Sequence, residues 1–301
     1  MTDYINVFSF FLKENQIRLN EPMNRHTTFG IGGPADCFVL PETIEELQMI
    51  IKETHKAGLP LFILGGGANL LVRDKGIRGV VACTGRLQKI EREGNLLRVT
   101  SGVPTMRVAK AALQYGLSGM EFAGGIPGSI GGAAFMNAGA YSGEMSRVVL
   151  SAEAFTAEGD MIIHDKEEIN YSYRNSLFME NKEIIAQITL RLMPGNKQDI
   201  KALMDDFNER RRSKQPLDKK SAGSTFKRPE GHFVGEMIEA LQMKGFSVGD
   251  AQVSTKHAGF LINNGNASCN DMLLLIHEVQ RRVKERYGVD LKTEVQVVGE
   301  D

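Results

Sequence analysis

The chain has 301 residues, of which 42% are hydrophobic and 24% charged, a composition typical of a globular enzyme with two or three cores. A formal net charge of -1 and a pI of about 6.6 exclude the global positive field that draws a protein onto nucleic acid or acidic lipid. Cys37, Cys83 and Cys269 lie far apart and form no CxxC pair, so the sequence indicates neither a disulfide framework nor a zinc site.

The N-terminal segment lacks the basic start and the small-residue cleavage site of a secretory signal. No uninterrupted apolar stretch approaches the roughly 20 residues that a membrane-spanning helix needs. We therefore expect a cytoplasmic protein that binds neither membrane nor nucleic acid.

The first predicted element is a helix at residues 5–12, where apolar residues recur at helical spacing. A strand at 38–40, a helix at about 44–57 and a strand at 61–64 follow, and a glycine-rich run begins where the last of these ends. Beyond residue 79 the predicted elements are short and irregularly connected. They are a helix at 105–115 and strands at 79–82, 96–99, 151–155 and 183–190. This pattern is typical of an α+β fold.

The segment 194–196 interrupts this pattern before a charged helix at about 199–214, so we predict a domain boundary between residues 195 and 196. The last third contains one clear helix, with Asp271 as its predicted cap and Gly288 in the C-terminal stop position. A strand at 294–298 is predicted to follow it.

Two glycine-rich runs, residues 65–71 and 124–140, stand out in the sequence. Glycine permits positive φ and lets amide N–H groups approach a ligand closely, which suits the binding of a diphosphate. The alternative is that the runs are ordinary turns. A Rossmann fingerprint is excluded because Leu70 occupies the sixth position and a strand-like stretch follows, and a P-loop is excluded because no GKS or GKT is present.

Three segments, residues 64–71, 28–36 and 125–132, resemble the UDP-N-acetylenolpyruvoylglucosamine reductase (MurB) family of peptidoglycan synthesis. The glycine motifs alone indicate only the larger superfamily of PCMH/vanillyl-alcohol-oxidase-like FAD enzymes. The later motifs narrow the assignment to the reductase family. The resemblance extends from about 24 to 299. It identifies the shorter, type II form of the family, because the run from Tyr173 to Lys214 is too short for the extra tyrosine loop of the other form.

The resemblance implies a PCMH-type FAD-binding domain at 1–195, made of two α+β subdomains at about 1–78 and 79–195. It also implies an α+β substrate-binding domain at 196–301, whose last strand returns toward the flavin. The residues that match the family's FAD positions lie in the two glycine-rich runs or, for Leu64, directly before the first. They are Leu64, Gly65, Gly66, Gly67, Ala68, Asn69, Leu70, Gly125, Ile126, Pro127, Gly128, Ser129, Gly132, Asn137, Ala138 and Gly139. No histidine lies within either run, so we expect FAD to be bound non-covalently.

The family match makes Arg174, Ser224 and Glu294 the catalytic residues. Arginine presents a planar fork of donors that suits a carboxylate at any working pH. Ser224 would protonate the substrate, since no Gly-x-Ser-x-Gly elbow marks a nucleophile. A carboxyl such as that of Glu294 has its pKa raised beside a substrate carboxylate and could then donate a hydrogen bond. The alternatives are that Arg174 is a solvated arginine, that Ser224 lies in an ordinary polar loop and that Glu294 is a surface residue.

Substrate binding is assigned by the match to Tyr173, Lys214, Arg228 and His257. If residues 171–175 are extended, Tyr171 and Tyr173 share one face. Lysine and arginine side chains collect between residues 210 and 228, where they could hold the diphosphate of UDP or form a solvated helix face. The histidines show no metal-binding spacing, so no metal is expected.

The resemblance implies a cytoplasmic flavoprotein oxidoreductase of cell wall biogenesis, and thereby of cell shape, cell cycle and cell division. NADPH would reduce FAD and leave, and the enolpyruvyl ether of a UDP-amino-sugar would then be reduced to UDP-N-acetylmuramate by a monomer. Two alternatives remain open. Another FAD-dependent oxidoreductase of the superfamily would keep the glycine runs, and a non-enzymatic nucleotide-binding module could keep the basic cluster.

Overall fold

The computed structural model describes residues 3–300, so Met1, Thr2 and Asp301, which end the predicted domains, lie outside the described residues. Within this range the α-helices are α1 (Tyr4–Phe8), α2 (Ile44–Lys56), α3 (Thr105–Tyr115), α4 (Ile130–Phe135), α5 (Lys166–Ile169), α6 (Leu177–Asn181), α7 (Lys197–Lys214), α8 (Val234–Ala240) and α9 (Cys269–Tyr287). Short 3-10 helices occupy Glu14–Gln16, Met23–Arg25, Thr84–Arg86, Glu121–Ala123 and Met145–Arg147. None of the helices in residues 3–300 is long and apolar enough to cross a membrane.

The strands of the same range are mostly short. They are β1 (Ile17–Pro22), β2 (Pro34–Val39), β3 (Leu61–Leu64), β4 (Leu70–Val72), β5 (Ile77–Cys83), β6 (Ile90–Glu93), β7 (Leu96–Thr100), β8 (Leu117–Ser118), β9 (Gly139–Ala140), β10 (Gly143–Glu144), β11 (Val149–Phe155), β12 (Met161–Asp165), β13 (Ile184–Arg191), β14 (Met193–Pro194), β15 (Ser247–Val248), β16 (Ala251–Val253), β17 (Leu261–Asn263) and β18 (Gln296–Val298). The α+β class expected from the sequence is confirmed.

The chain forms two compact units, and each is discontinuous in sequence. The first unit comprises Met1–Leu19, Cys37–Gly66 and Gly79–Arg210, and the second comprises Asn20–Asp36, Gly67–Arg78 and Arg211–Asp301. These units are defined by packing. The functional division into an FAD-binding domain at 1–195 and a substrate-binding domain at 196–301 stays a prediction.

A five-stranded antiparallel sheet, in the order β12-β11-β13-β7-β6, forms the centre of the first unit. Helix α3 buries Thr105, Val108, Ala109 and Ala112 in the core of this sheet, a spacing that places all four on one helical face. Gly116 ends the helix in the left-handed conformation. The predicted bounds of α3 and β3 are confirmed, and the predicted α2 agrees within one residue.

A second core of the first unit lies beneath α2, where Leu47, Ile50 and Ile51 are fully buried. In the same unit β3 pairs with β5 in parallel, with Leu61 opposite Val80. The parallel pairing positions the end of β3, where the first glycine-rich run begins.

The second unit is built around the three-stranded antiparallel sheet β15-β16-β17 and the long helix α9. Helix α9 buries one apolar stripe, formed by Cys269, Met272, Leu275, Ile276, Val279 and Val283. Gly288 ends the helix in the left-handed conformation, as the sequence predicts. Strand β18 pairs in parallel with β4, with Gln296 opposite Leu70.

Several element boundaries differ from the sequence predictions. Strand β2 begins at Pro34 and not at 38, β5 begins at Ile77 and not at 79, and α7 begins at Lys197 and not at 199. Helix α1 ends at Phe8 and not near residue 12. The N-cap of α9 is Ser268, and Asp271 is the third helical residue of a capping box in which each side chain accepts the other's backbone N–H. Strand β18 begins at Gln296, so Glu294 lies in the segment that leads into the strand.

Asp74 supplies a further cap to α9 from a distant part of the sequence. Its carboxylate oxygens accept the backbone N–H groups of Cys269 and Asn270 at 2.8 and 3.1 Å. Two first-turn amides are thereby paired with a negative charge that complements the helix dipole. We expect Asp74→Ala to lower the free energy of unfolding by about 1–2 kcal/mol in chemical denaturation. Asp218→Ala, an exposed aspartate outside this cap, is the control, and equal stability of the two variants would contradict the capping role.

Candidate functional site

The two glycine-rich runs meet directly in the first unit. A Cβ atom added at Gly66 would lie 2.5 Å from the Cα atom of Gly128, and one at Gly65 would lie 2.4 Å from Oγ of Ser129. Ser129 caps α4, since its hydroxyl oxygen accepts the N–H of Gly132 at 3.3 Å. Glycine is therefore required at 65 and 66 because two backbones pack against each other there.

The later part of the first run belongs to the second unit, where it is joined to a predicted catalytic residue. Gly67 has φ +61°, and a Cβ atom there would overlap the carbonyl oxygen of His26. Asn69 donates a side-chain N–H to the backbone oxygen of Glu294 at 2.9 Å, and its own carbonyl accepts the N–H of Gln296 at 3.0 Å. Asn69 thus fixes the backbone on both sides of Val295.

Asn137, near the end of the second run, is almost completely buried and adopts a left-handed φ of +47°. Its side-chain oxygen accepts the N–H of Ser146 at 2.9 Å, and its side-chain nitrogen donates to the carbonyl of Ser172 at 3.0 Å. Arg174 donates to the backbone oxygens of Asn137 and Gly139 at 3.4 and 3.0 Å. The structure therefore brings the second run and Arg174 together.

Tyr173 and Arg174 form a tight turn, which corrects the extended segment considered from the sequence. Ser172 and Asn175 exchange backbone hydrogen bonds, and Arg174 adopts φ +54°. The two tyrosines consequently do not share a face. Tyr173 is 54% exposed. The hydroxyl of Tyr171 is buried with no hydrogen-bond partner among residues 3–300, and burial raises its pKa.

Ser224 and Glu294 lie close together in the second unit. The intervening contact is Thr225, whose carbonyl accepts the N–H of Glu294 at 2.8 Å. Thr225 is fully buried, and its hydroxyl oxygen accepts the N–H of Leu261. Ser224 itself is exposed and forms a β-bridge with Phe260. The buried Thr225 thus connects the backbone of the exposed Ser224 to the backbone of Glu294.

His257 is held as a hydrogen-bond acceptor at one ring nitrogen. Its Nδ1 accepts the N–H of Gly259 at 3.1 Å, so the neutral ring carries its proton on Nε2. Burial lowers the pKa of His257, and the positive charges of Lys244 and Lys214 act in the same direction. At neutral pH the ring can therefore offer a neutral Nε2–H donor to a ligand, but not a positive charge.

Most cations of the predicted basic cluster are exposed, and several of them also contact neighbouring groups. Lys214 and Arg228 are exposed, and the guanidinium carbon of Arg228 lies 3.9 Å from the ring centre of Phe233. Arg210 pairs with Asp206 at 2.7 Å along α7, as on a solvated helix face. Lys219 donates to the side-chain oxygen of Asn264 at 2.9 Å. Among residues 3–300 no group of three or more His, Cys, Asp or Glu side chains could hold a metal ion.

Residues 28–36, the third segment of the resemblance, lie within the second unit. Phe29 and Ile31 are buried in its core, and Asn263 donates a side-chain N–H to the carbonyl of Phe29 at 3.0 Å. The glycines of this segment line a polar cavity of about 280 Å³ together with Lys220. In the structure this segment therefore contributes packing to the second unit.

Comparison with known proteins gives a consistent result. Residues 35–164 match the model of an FAD binding domain, and residues 215–298 match the C-terminal domain of UDP-N-acetylenolpyruvoylglucosamine reductase. The reductase of that name from Syntrophomonas wolfei is 50% identical over 299 residues, covering 99% of this chain and 100% of the relative. The chain belongs to this family. The corresponding protein from Clostridium novyi is 49% identical over 96% of this chain and 94% of the relative.

A solved member of the family has the same fold. The crystal structure of the MurB reductase from Thermus caldophilus superposes with a TM-score of 0.79 at 34% identity, covering 93% of this chain and 97% of that one. The PCMH-like FAD-binding fold and the family assignment made from the sequence are confirmed. The roles of individual residues, and the type II form, stay predictions.

The geometry of the glycine runs is compatible with FAD. At Gly66 a side chain would clash with the backbone of the other run. Gly132 is exposed, and a Cβ atom added there would have only Oγ of Ser129 nearby. Leu64 and Ala138 point into the core, so their predicted contribution to FAD binding is restricted to the backbone. Successive main-chain N–H groups can form an anion-binding concavity, and glycine-rich backbone of this kind suits a diphosphate.

Sequence reasoning missed the residues that hold the predicted catalytic groups in place. Thr225 links Ser224 to Glu294, and Ser172 and Ser176 anchor the turn that carries Arg174. Their partners lie tens of residues away, so no periodicity or local motif reports them. Among these residues only Thr225 has a local indication of its role, since it directly follows the predicted proton donor Ser224 in the sequence.

We expect Gly66→Ala to weaken both folding and FAD binding, because the added methyl group would force the two runs apart. The expected loss of stability is about 1–3 kcal/mol. Gly85→Ala is the matched control, since the only atom near its Cβ position is Sγ of Cys83 at 3.4 Å. Thermal melting and the flavin absorbance of the purified protein measure the two effects. Equal FAD content and melting temperature in the two variants would contradict the packing argument.

Proposed function

We propose that this chain catalyses the NADPH-dependent reduction of UDP-N-acetylglucosamine enolpyruvate to UDP-N-acetylmuramate, with non-covalently bound FAD. Membership of the reductase family and the match to an FAD-binding domain support this reaction. It makes the protein an oxidoreductase of peptidoglycan precursor synthesis.

One observation carries the proposal: each predicted FAD run is hydrogen-bonded to a predicted catalytic residue. In the first unit the carbonyls of Asn137 and Gly139 accept from Arg174. In the second unit Asn69 donates to the backbone of Glu294. Ordinary turns would have no reason to contact these residues, so the pairing favours a cofactor site over the alternative of structural glycine turns.

The charged groups suit a substrate that carries a carboxylate next to its double bond. Held by the residues of the two glycine-rich runs, FAD would supply the chemistry of hydride transfer from NADPH to the double bond of the enol ether. Arg174 supplies a fixed positive charge and paired N–H donors to the carboxylate on which negative charge develops. The role proposed for Glu294 is that of a protonated carboxyl that donates a hydrogen bond to the substrate.

Ser224 is proposed to donate a proton to the adjacent carbon of the substrate. A serine hydroxyl is a weak acid, and it can serve here because the carbanion-like centre it protonates is very basic. Its exposure leaves the hydroxyl accessible, and Thr225 holds the backbone that carries it. Hydride and proton therefore arrive at neighbouring carbons and complete the reduction.

The UDP portion is proposed to be bound by Tyr173, Lys214, Arg228 and His257. The exposed cations Lys214 and Arg228 provide charge for the diphosphate, and His257 provides a neutral donor. We further propose a cytoplasmic monomer of the type II form, whose partners are small molecules and not membranes or nucleic acid.

The reaction is tested by incubating the purified protein with NADPH and the enolpyruvyl sugar nucleotide. Mass spectrometry should show a product with two more hydrogen atoms than the substrate, formed in proportion to the NADPH consumed. Oxidation of a hydroxy acid without reduction of the sugar nucleotide would instead identify another oxidoreductase of the superfamily. A protein purified without flavin that consumes no NADPH would favour the nucleotide-binding module.

A further inference from the structure

We infer that Asn137 is a positioning residue for Arg174, and that its side chain acts on the reaction through the turn at 172–175 and not by binding FAD. The inference deepens the proposed function and rests on it, because Arg174 is assigned to the substrate carboxylate there. It gives Asn137 a role different from the cofactor contact that the family resemblance implies.

Both polar atoms of the Asn137 side chain are hydrogen-bonded within the protein. Its oxygen accepts the N–H of Ser146 and its nitrogen donates to the carbonyl of Ser172, at 2.9 and 3.0 Å. The residue is 1% exposed. An amide that is buried and engaged at both its oxygen and its nitrogen is poorly placed to serve as a direct ligand of a cofactor.

The turn that accepts this hydrogen bond contains an energetically unfavourable backbone conformation, which surrounding contacts must stabilise. Arg174 adopts φ +54°, a conformation that a long side chain rarely takes without help from its surroundings. The carbonyl that Asn137 holds belongs to Ser172, the first residue of the turn, and Ser172 also exchanges two backbone bonds with Asn175. The hydroxyl of Ser176 donates to the carbonyl of Phe135 on the far side of the turn.

The same residue also fixes the end of the arginine side chain. The guanidinium donates to the carbonyls of Asn137 and Gly139, so the left-handed backbone at Asn137 determines where these acceptors lie. Asn137 thus controls Arg174 twice, through the turn backbone and through the acceptors of the guanidinium. A group that must meet a developing charge gains from such preorganisation.

The test uses Asn137→Asp, which keeps the volume and the oxygen acceptor but loses the N–H donor to Ser172. Asn137→Gly is the second variant, and it keeps the left-handed backbone and the carbonyl while removing the whole side chain. Asn20→Gly is the control, because Asn20 is exposed, has a left-handed φ of +52° and belongs to the second unit, whereas the turn belongs to the first. Bound FAD, flavin reduction by NADPH and reoxidation by the sugar nucleotide are measured on each holoenzyme.

We expect both Asn137 variants to retain FAD and to be reduced by NADPH within about threefold of the wild type, while reoxidation slows by about 10- to 100-fold. In an enzyme that already carries Arg174→Lys, each Asn137 change should slow reoxidation further by less than about threefold. The reason is that the two residues act as one unit. Loss of FAD with unchanged reoxidation, or full additivity with Arg174→Lys, would overturn the inference.

A measurement independent of turnover separates this inference from the proposed reaction. Crystal structures of FAD-loaded Asn137→Asp and Asn137→Gly should show the 172–175 turn displaced and the guanidinium of Arg174 moved from the carbonyl of Gly139. An undisturbed turn in both variants overturns the inference whatever the activity. If the wild-type enzyme reduces no sugar nucleotide while the two Asn137 variants show this displacement, the proposed reaction is refuted and the positioning of Arg174 stays supported.

Discussion

Ser224→Ala is expected to retain FAD and to be bleached by NADPH at the wild-type rate, but to be reoxidised by the enolpyruvyl substrate about 10²- to 10⁴-fold more slowly. The reason is that reduction of FAD by NADPH needs no proton from Ser224, whereas completion of substrate reduction does. Stopped-flow absorbance of the flavin under anaerobic conditions separates the two half-reactions.

Ser221→Ala is the matched control for this prediction, since it removes a hydroxyl three positions earlier in the same loop. It should leave both half-reactions within about twofold of the wild type, because Ser221 has no proposed part in the reaction. An equal loss of both half-reactions in Ser224→Ala would show a general defect of the loop and would remove Ser224 from the role of proton donor.

Arg174→Lys is expected to slow reoxidation by the substrate about 10²- to 10³-fold, with FAD content and reduction by NADPH maintained. Lysine keeps the positive charge but loses the planar fork, so it cannot bond a carboxylate through two parallel N–H groups. It also cannot reproduce the pair of bonds to the carbonyls of Asn137 and Gly139.

Arg210→Lys is the control for that change, because Arg210 lies on the exposed face of α7 and pairs with Asp206. Its kinetics should match those of the wild type. Wild-type reoxidation in Arg174→Lys would show that charge alone, and not the geometry of the guanidinium, is sufficient at this position. A rise in KM for the substrate with an unchanged rate at saturation would assign Arg174 to binding and not to the reaction.

The features that the sequence predicted correctly are those with a local physical signature. Helix α3 has apolar residues at the helical period and a glycine directly after its last turn. Strand β3 is a short apolar run between Pro60 and a glycine-rich turn. The α+β class and the family followed from such elements together with the order of the glycine motifs.

The features that the sequence did not predict depend on contacts between distant residues. The turn at 172–175 is left-handed at Arg174, which no propensity favours, and it is anchored to Asn137 from 35 positions away. Helix α9 takes one cap from Asp74, which is 195 positions from Cys269. Ser268 and Asp271 are both good capping residues, and the choice between them depends on backbone geometry that the sequence does not display.

The central claim is tested most directly by a single anaerobic flavin trace at about 450 nm, the wavelength at which oxidised flavin absorbs. The purified protein is first bleached with one equivalent of NADPH, and UDP-N-acetylglucosamine enolpyruvate is then added. We predict rapid and complete return of the oxidised spectrum. A flavin that bleaches with NADPH but stays reduced in the presence of this substrate would contradict the proposed function.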